Sequence, residues 1–311
     1  MKKSALLAFC LLGGIWGSNF IFMKWAAEVV TPAQVTLLRV LSGFAPILVY
    51  ALATRSLKWA HLRYIHHFFV MSLLATFLDY FTFAQGAARL PSGVAGMLSG
   101  TIPIFAVVCS AMLQGRKDMD VWKAIGVALG FIGVTLIARP WSASVSGIDL
   151  AGVCWMLGGS FAMGLSFIYA KRFITPLRIP GVALTTYQVG LAAMYLLAFT
   201  PLDGAAVLLQ HPRAALGLVF GLGMLGTGIA YLAYYHIVEH LGALAASSVT
   251  YIPPVVALFI GAVLVGEPTT SAEYLAVVLI LAGVGVTQFG SGIQTVWERV
   301  SPKAYGRHPE A

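Results

Sequence analysis

The sequence predicts an all-α polytopic membrane protein of ten transmembrane helices, built as two inverted five-helix repeats with both termini on the cytoplasmic side. Three observations carry this. Hydrophobic residues make up 59% of the 311 residues and charged residues only 10%, whereas soluble domains run at about a quarter charged. Ten apolar stretches lie close to the ~20 residues that a membrane-crossing helix needs. The first five stretches match the second five at a nearly constant offset, which marks an internal repeat.

In chain order the stretches run Leu6 to Trp25, Pro32 to Ala53, Phe68 to Ala88, Val94 to Leu113, Val121 to Ile137, Leu150 to Tyr169, Val182 to Thr200, Ala215 to Ile237, Ala243 to Val265 and Ala272 to Phe289. Helix breakers or charges separate them, as at Thr31-Pro32, Arg116-Lys117-Asp118, Pro140 to Gly147 and Gly266-Glu267-Pro268. These connections leave no room for a soluble domain. The expected units are a first repeat over 1–139, a second over 148–290 and a short basic cytoplasmic tail over 291–311. Met1-Lys2-Lys3 and the apolar run behind it are not read as a signal peptide, because the run is too long and lacks a small-residue cleavage site. Cys10, Cys109 and Cys154 lie in apolar stretches without CxxC or histidine spacing and read as small hydrophobes.

The net charge of +8 is explained by where the basic residues fall. With both termini inside, the inner segments hold Lys2, Lys3, Arg55, Lys58, Arg63, Arg116, Lys117, Lys123, Lys171, Arg172, Arg178, Arg299, Lys303 and Arg307. The outer segments hold Lys24, Arg89, Arg139 and Arg213, and Arg39 falls inside a span. This is the positive-inside asymmetry of an inner-membrane protein, and an odd number of helices would spoil it. It accounts for the charge without a nucleic-acid partner.

The repeat pairs Phe20-Ile21-Phe22-Met23-Lys24 with Phe167-Ile168-Tyr169-Ala170-Lys171, Gly17 with Gly164, Pro32 with Pro180, Ile102-Pro103 with Ile252-Pro253, and Gly133-Val134 with Gly283-Val284. Five helices per half means that the second half enters from the opposite face, an arrangement found in transporters whose central site opens to each side in turn.

Several motifs resemble the drug/metabolite transporter superfamily, and within it the ten-helix EamA-type exporters. They are Trp16-Gly17-Ser18-Asn19-Phe20, Arg39, Leu90 to Pro103, Leu241 to Pro253 and Gly266-Glu267-Pro268. The likeness runs from about Leu6 to Phe289 and departs at Gly115, where Arg116-Lys117 stands in place of an acidic residue. The resemblance implies export of amino acids or related metabolites, without a cofactor, through a cavity lined by helices one, three, four, six, eight and nine.

Asp79 is the only carboxylate well inside a span and Arg39 the only comparable basic residue. At ~1.5 Å rise per residue both lie roughly 10–13 Å from the outer helix ends. Two readings stand: a structural ion pair, or a carboxylate that carries a proton or contacts a substrate amine, tuned by Arg39. Helical spacing adds Thr227, Tyr231 and Tyr235 on helix eight, and Thr76, Tyr80 and Phe83 on helix three. Trp16 and Asn19 share a face of helix one, and Ser166 joins from helix six. Ser99 and Thr101 precede Pro103, as Thr250 and Tyr251 precede Pro253, so both prolines are expected kinks beside the cavity. An interfacial aromatic belt would equally place Tyr234, Tyr235 and His236.

Competing functions find little support. Gly221 to Gly226 matches GxGxxG but lies in a span with no strand before it. His61, His66 and His67 lack metal-site spacing. No Walker, GxSxG or aspartate-rich motif is present, so gradient-driven or facilitated transport is expected rather than a pump or a membrane enzyme. A proton-coupled multidrug exporter of the same superfamily is the alternative, with Asp79 as its acid. The expected partners are a small-molecule substrate and membrane lipid, and a homodimer through helices five and ten stays open.

Overall fold

The computed structural model describes residues 2–114, 120–138, 148–241 and 248–300, and all of the regular structure among them is helical. The first half contains α1 (Lys2–Ala27), α2 (Pro32–Ala53), α3 (Trp59–Ala87), α4 (Ser92–Leu113) and α5 (Val121–Ala138). The second contains α6 (Leu150–Leu177), α7 (Gly181–Phe199), α8 (Pro212–Leu241), α9 (Val249–Val265) and α10 (Ser271–Val300). Among the described residues all but α9 are long and apolar enough to cross a membrane. The expected start of α9 at Ala243 lies outside the described residues, as do Gly115 to Lys117 and the connection 140–147. Helix α10 continues to Val300, so the expected tail begins as helix and only 301–311 lie beyond the described part.

Local sequence sets the helix ends. Thr31 caps α2 in a capping box with Gln34. Gln34 Nε2 also donates to the carbonyls of Pro201 and Asp203 at 2.9 and 3.0 Å, tying α2 to the connection after α7. Asp149 caps α6 through the amides of Ala151 and Gly152. Helix α9 stops at Gly266, whose φ of +73° belongs to the left-handed region that glycine enters freely.

Several helices depart from α geometry near their middles. Helix α4 breaks after Ser99, where Gly100 and Thr101 bond back three residues, and restarts at Ile102. Helix α9 differs in opening with a 3₁₀ turn, Val249–Tyr251, and becomes α-helical at Ile252. Pro103 and Pro253 are thus second residues of α-helical segments, where a missing N–H leaves no bond unmade. Helices α3 and α8 carry π segments, Leu73–Leu78 and Gly217–Ile229, whose wider turns are frequent at functional positions.

The halves interlock rather than stand as separate bundles. Helix α1 packs on α8 and α9 of the other half, with Gly13 against Ile252, Gly17 against Val256 and Gly226 against Asn19. Correspondingly, α6 packs on α3 and α4, with Gly159 against Phe83 and Gly164 against the backbone of Phe105 and Ala106. Helix α2 lies along α8, α3 meets α7, α4 crosses α9, and α5 pairs with α10. These close approaches rest on small residues, because van der Waals packing must hold helices together where lipid is as apolar as they are. The largest buried cluster draws on both halves, with Met23, Ala84 and Leu98 beside Met156, Leu222 and Ile280.

Candidate functional site

A cavity of about 230 Å³ lies between the halves. It is lined by α1, α3, α4, α6, α8 and α9, and also by α2 and α7, which add Arg39, Leu184 and Gln188. Of the sequence-predicted residues, Trp16, Asn19, Ser99, Ser166 and Pro253 line it. So do Asp79, Tyr80, Phe83, Tyr231 and Arg39.

Five predicted residues are elsewhere, among them Thr76, buried on the π segment of α3. Thr101 turns its hydroxyl back to the Leu98 carbonyl at 2.7 Å, and Tyr251 packs on the main core, leaving Thr250 to face the cavity. Both follow from tight turns that advance the helical phase, so a register counted at 3.6 residues per turn overshoots. Pro103 initiates its helical segment without reaching the cavity. Thr227, on the π segment of α8, turns toward α2.

Of the two readings of these charges, the direct ion pair is not formed. Arg39 is buried, and no nitrogen of it approaches an Asp79 oxygen within 4.0 Å. Its Nε donates to Thr227 Oγ1 at 3.0 Å, its guanidinium carbon stands 3.5 Å from the Tyr80 ring centroid, and one terminal nitrogen lies 3.9 Å from Met23 Sδ. Helices α2 and α3 set the two charges side by side, but Tyr80 and Thr227 hold the cation. Asp79 is buried with Oδ1 lacking a hydrogen-bond partner, and Asn19 Oδ1 is in the same condition. Buried acceptors without donors are costly, so such groups mark places where a donor is wanted.

Aromatic rings make up much of the wall. Phe20 meets Phe83 with centroids 5.9 Å apart, and Trp16 meets Tyr234 at 6.1 Å. Tyr235 shares a 2.8 Å hydrogen bond with Thr185. Tyr234 and Tyr235, which an interfacial belt would also have placed, both line the cavity. The sequence reading missed Gln188, which donates to Thr76 at 2.9 Å, and the thioethers Met23, Met71 and Met163. An isolated glutamine or methionine in an apolar helix carries no pattern; only the adjacency of α3 to α7 reveals the Gln188 bond.

Where α1 and α3 finish, Glu267 joins the halves. The αL turn at Gly266 sends Glu267 back over the start of α4, and its amide bonds the Gly261 carbonyl at 2.8 Å. Oε1 accepts from Lys24 Nζ at 2.8 Å and from the Ser92 amide at 2.9 Å. Oε2 accepts from the Ser92 hydroxyl at 2.9 Å and the Gly93 amide at 3.1 Å. Burial pushes this carboxyl upward, but the Lys24 ammonium and the donors of Ser92 and Gly93 outweigh it, and the net shift is below the ordinary glutamate value.

The EamA-like transporter family matches residues 3–139 and 150–288, one copy per half. The uncharacterized transporter YdfC of Bacillus subtilis is 26% identical over 282 residues, covering 91% of this chain and 90% of that protein. The uncharacterized inner membrane transporter YedA of Escherichia coli K12 is 28% identical over 283 residues, covering 89% and 88%. A solved structure titled "Crystal structure of protein" shares the fold, with a TM-score of 0.60 and 20% identity over 94% of this chain and 99% of that one.

Proposed function

We propose, on the premise that this chain belongs to the EamA-like transporter family, that it exports small amphipathic metabolites, amino acids foremost, by alternating access at the cavity between its halves. The observation that supports the substrate class is the state of the two buried charges. Arg39 and Asp79 line one aromatic-walled cavity without pairing, leaving a cation for a carboxylate and an acceptor for an ammonium. Rings such as Phe83 and Tyr231 would hold the apolar part or an ammonium face-on. The location that goes with this reading is a bacterial-type inner membrane, with Lys24 and Glu267 at the outer face and the basic segments inside.

Counterflow in liposomes tests it. Purified protein loaded with an unlabelled amino acid mixture is expected to accumulate labelled amino acid saturably, and a response to an imposed pH gradient would assign proton coupling. Absence of counterflow across the amino acids rejects the substrate class. The multidrug alternative draws on the same buried Asp79 among aromatic rings, and predicts lipophilic cation movement driven by the proton gradient.

A further inference from the structure

The halves bring matched groups to the cavity, and the match fails at two stations. Arg39 reaches from α2 to Thr227 on the π segment of α8, and Gln188 reaches from α7 to Thr76 on the π segment of α3. Counting onward from each threonine gives Asp79, Tyr80 and Phe83 in the first half and Ala230, Tyr231 and Tyr234 in the second. All four rings line the cavity. The first half thus supplies Arg39 and Asp79 to the wall where the second supplies Gln188 alone, because Ala230 is buried in the cluster of Leu12 and Ile237 and does not reach the cavity. A cavity with near-twofold walls is charged at one end and neutral at the other.

The neutral end has a definite character. Met71, Ala75, Met163, Ala170 and Leu184 pack together there and line the cavity. Thioethers adapt to varied apolar shapes, and the alanines leave room beside them. Arg39 and Asp79 are the only charged residues on the cavity wall among the described residues.

We propose that the cavity holds its solute in a single orientation, with the charged groups at Arg39 and Asp79 and the side chain among Met71, Ala75, Met163 and Leu184, so that Ala75 and Leu184 set the size admitted. The reverse orientation would leave ammonium and carboxylate among thioethers, methyl groups and the uncharged Gln188 amide, whose Nε2 already donates to Thr76, while both protein charges faced hydrocarbon. The inference rests on the amino-acid reading above.

Counterflow of alanine and phenylalanine, measured in one preparation of the full chain in liposomes, tests it. The two solutes share the same charged groups, so their rate ratio reports the apolar end alone and is insensitive to yield. Ala75→Leu is expected to lower the phenylalanine-to-alanine ratio by roughly tenfold, the scale on which a hydrocarbon pocket discriminates. Leu184→Ala is expected to raise it, and decides the matter if the larger side chain at 75 prevents folding. Asp79→Asn should slow both solutes and leave the ratio unchanged. A native ratio in Leu184→Ala, with alanine still moving, overturns the orientation alone. No counterflow of either solute by the native protein overturns both this inference and the reading beneath it.

Discussion

Asp79 and Arg39 show how much a single residue costs inside a membrane and what keeps it there. Arg39 retains a hydrogen bond and a ring face, and Asp79 has an oxygen without a protein donor. Asp79→Asn is expected to keep the protein at native levels in the membrane while reducing transport more than about tenfold, since it removes the charge and little volume. Normal transport by that variant would assign the residue to structure. Thr227→Ala deprives Arg39 Nε of its acceptor and is expected to destabilise by about 1–2 kcal/mol, read as a lower melting temperature in detergent, with Thr227→Ser restoring most of it. The sequence identified both charges because ionisable residues stand out in an apolar stretch. It left open whether they pair, because depth along two helices says nothing of which faces meet, and the Thr227 acceptor comes from 188 residues away.

At the level of the helix, periodicity revealed more where the helix is regular. Tyr80, Phe83 and Tyr231 lie on the cavity face that their spacing predicts, whereas Thr227 and Thr101 fall at π and 3₁₀ departures that sequence patterns do not display. Crossings are set by small residues. A side chain at Gly96 would collide with Ala257 of α9, whereas Gly158 has open space around it. Gly96→Leu is therefore expected to cost at least about 1–3 kcal/mol by overpacking, seen as a lost monodisperse peak or a lower melting temperature, with Gly158→Leu near native. The cap on α4 has a pH signature. Because the Glu267 carboxyl lies below its ordinary value of 4.5 when folded, its contribution is present above that value and is lost as pH falls through the depressed folded one. Thermal stability in detergent should then change little on this account from pH 8 to about 5 and fall below ~4.5. Glu267→Gln should lower the plateau and flatten that acid limb.

The whole molecule was legible as ten apolar stretches, a repeat and a charge asymmetry, because each of these is a property of long segments. The topology carries a direct expectation. An impermeant label should reach a tag at residue 145 from the outer face and a tag at the carboxyl end only from the inner face. Labelling of both from one face would remove the inverted arrangement. What the repeat did not disclose is the interlocking, since an offset between segments says which helices are alike and not which ones touch. Helix α1 presents Gly13 and Gly17 to α9 and Asn19 to α8. During synthesis the first helix therefore enters the bilayer long before either neighbour exists. A ribosome halted after the seventh segment would leave its glycines facing lipid, where membrane proteases and chaperones discriminate among unfinished chains. Two half-length polypeptides made from separate messages should, by the same geometry, each be short-lived alone and survive together.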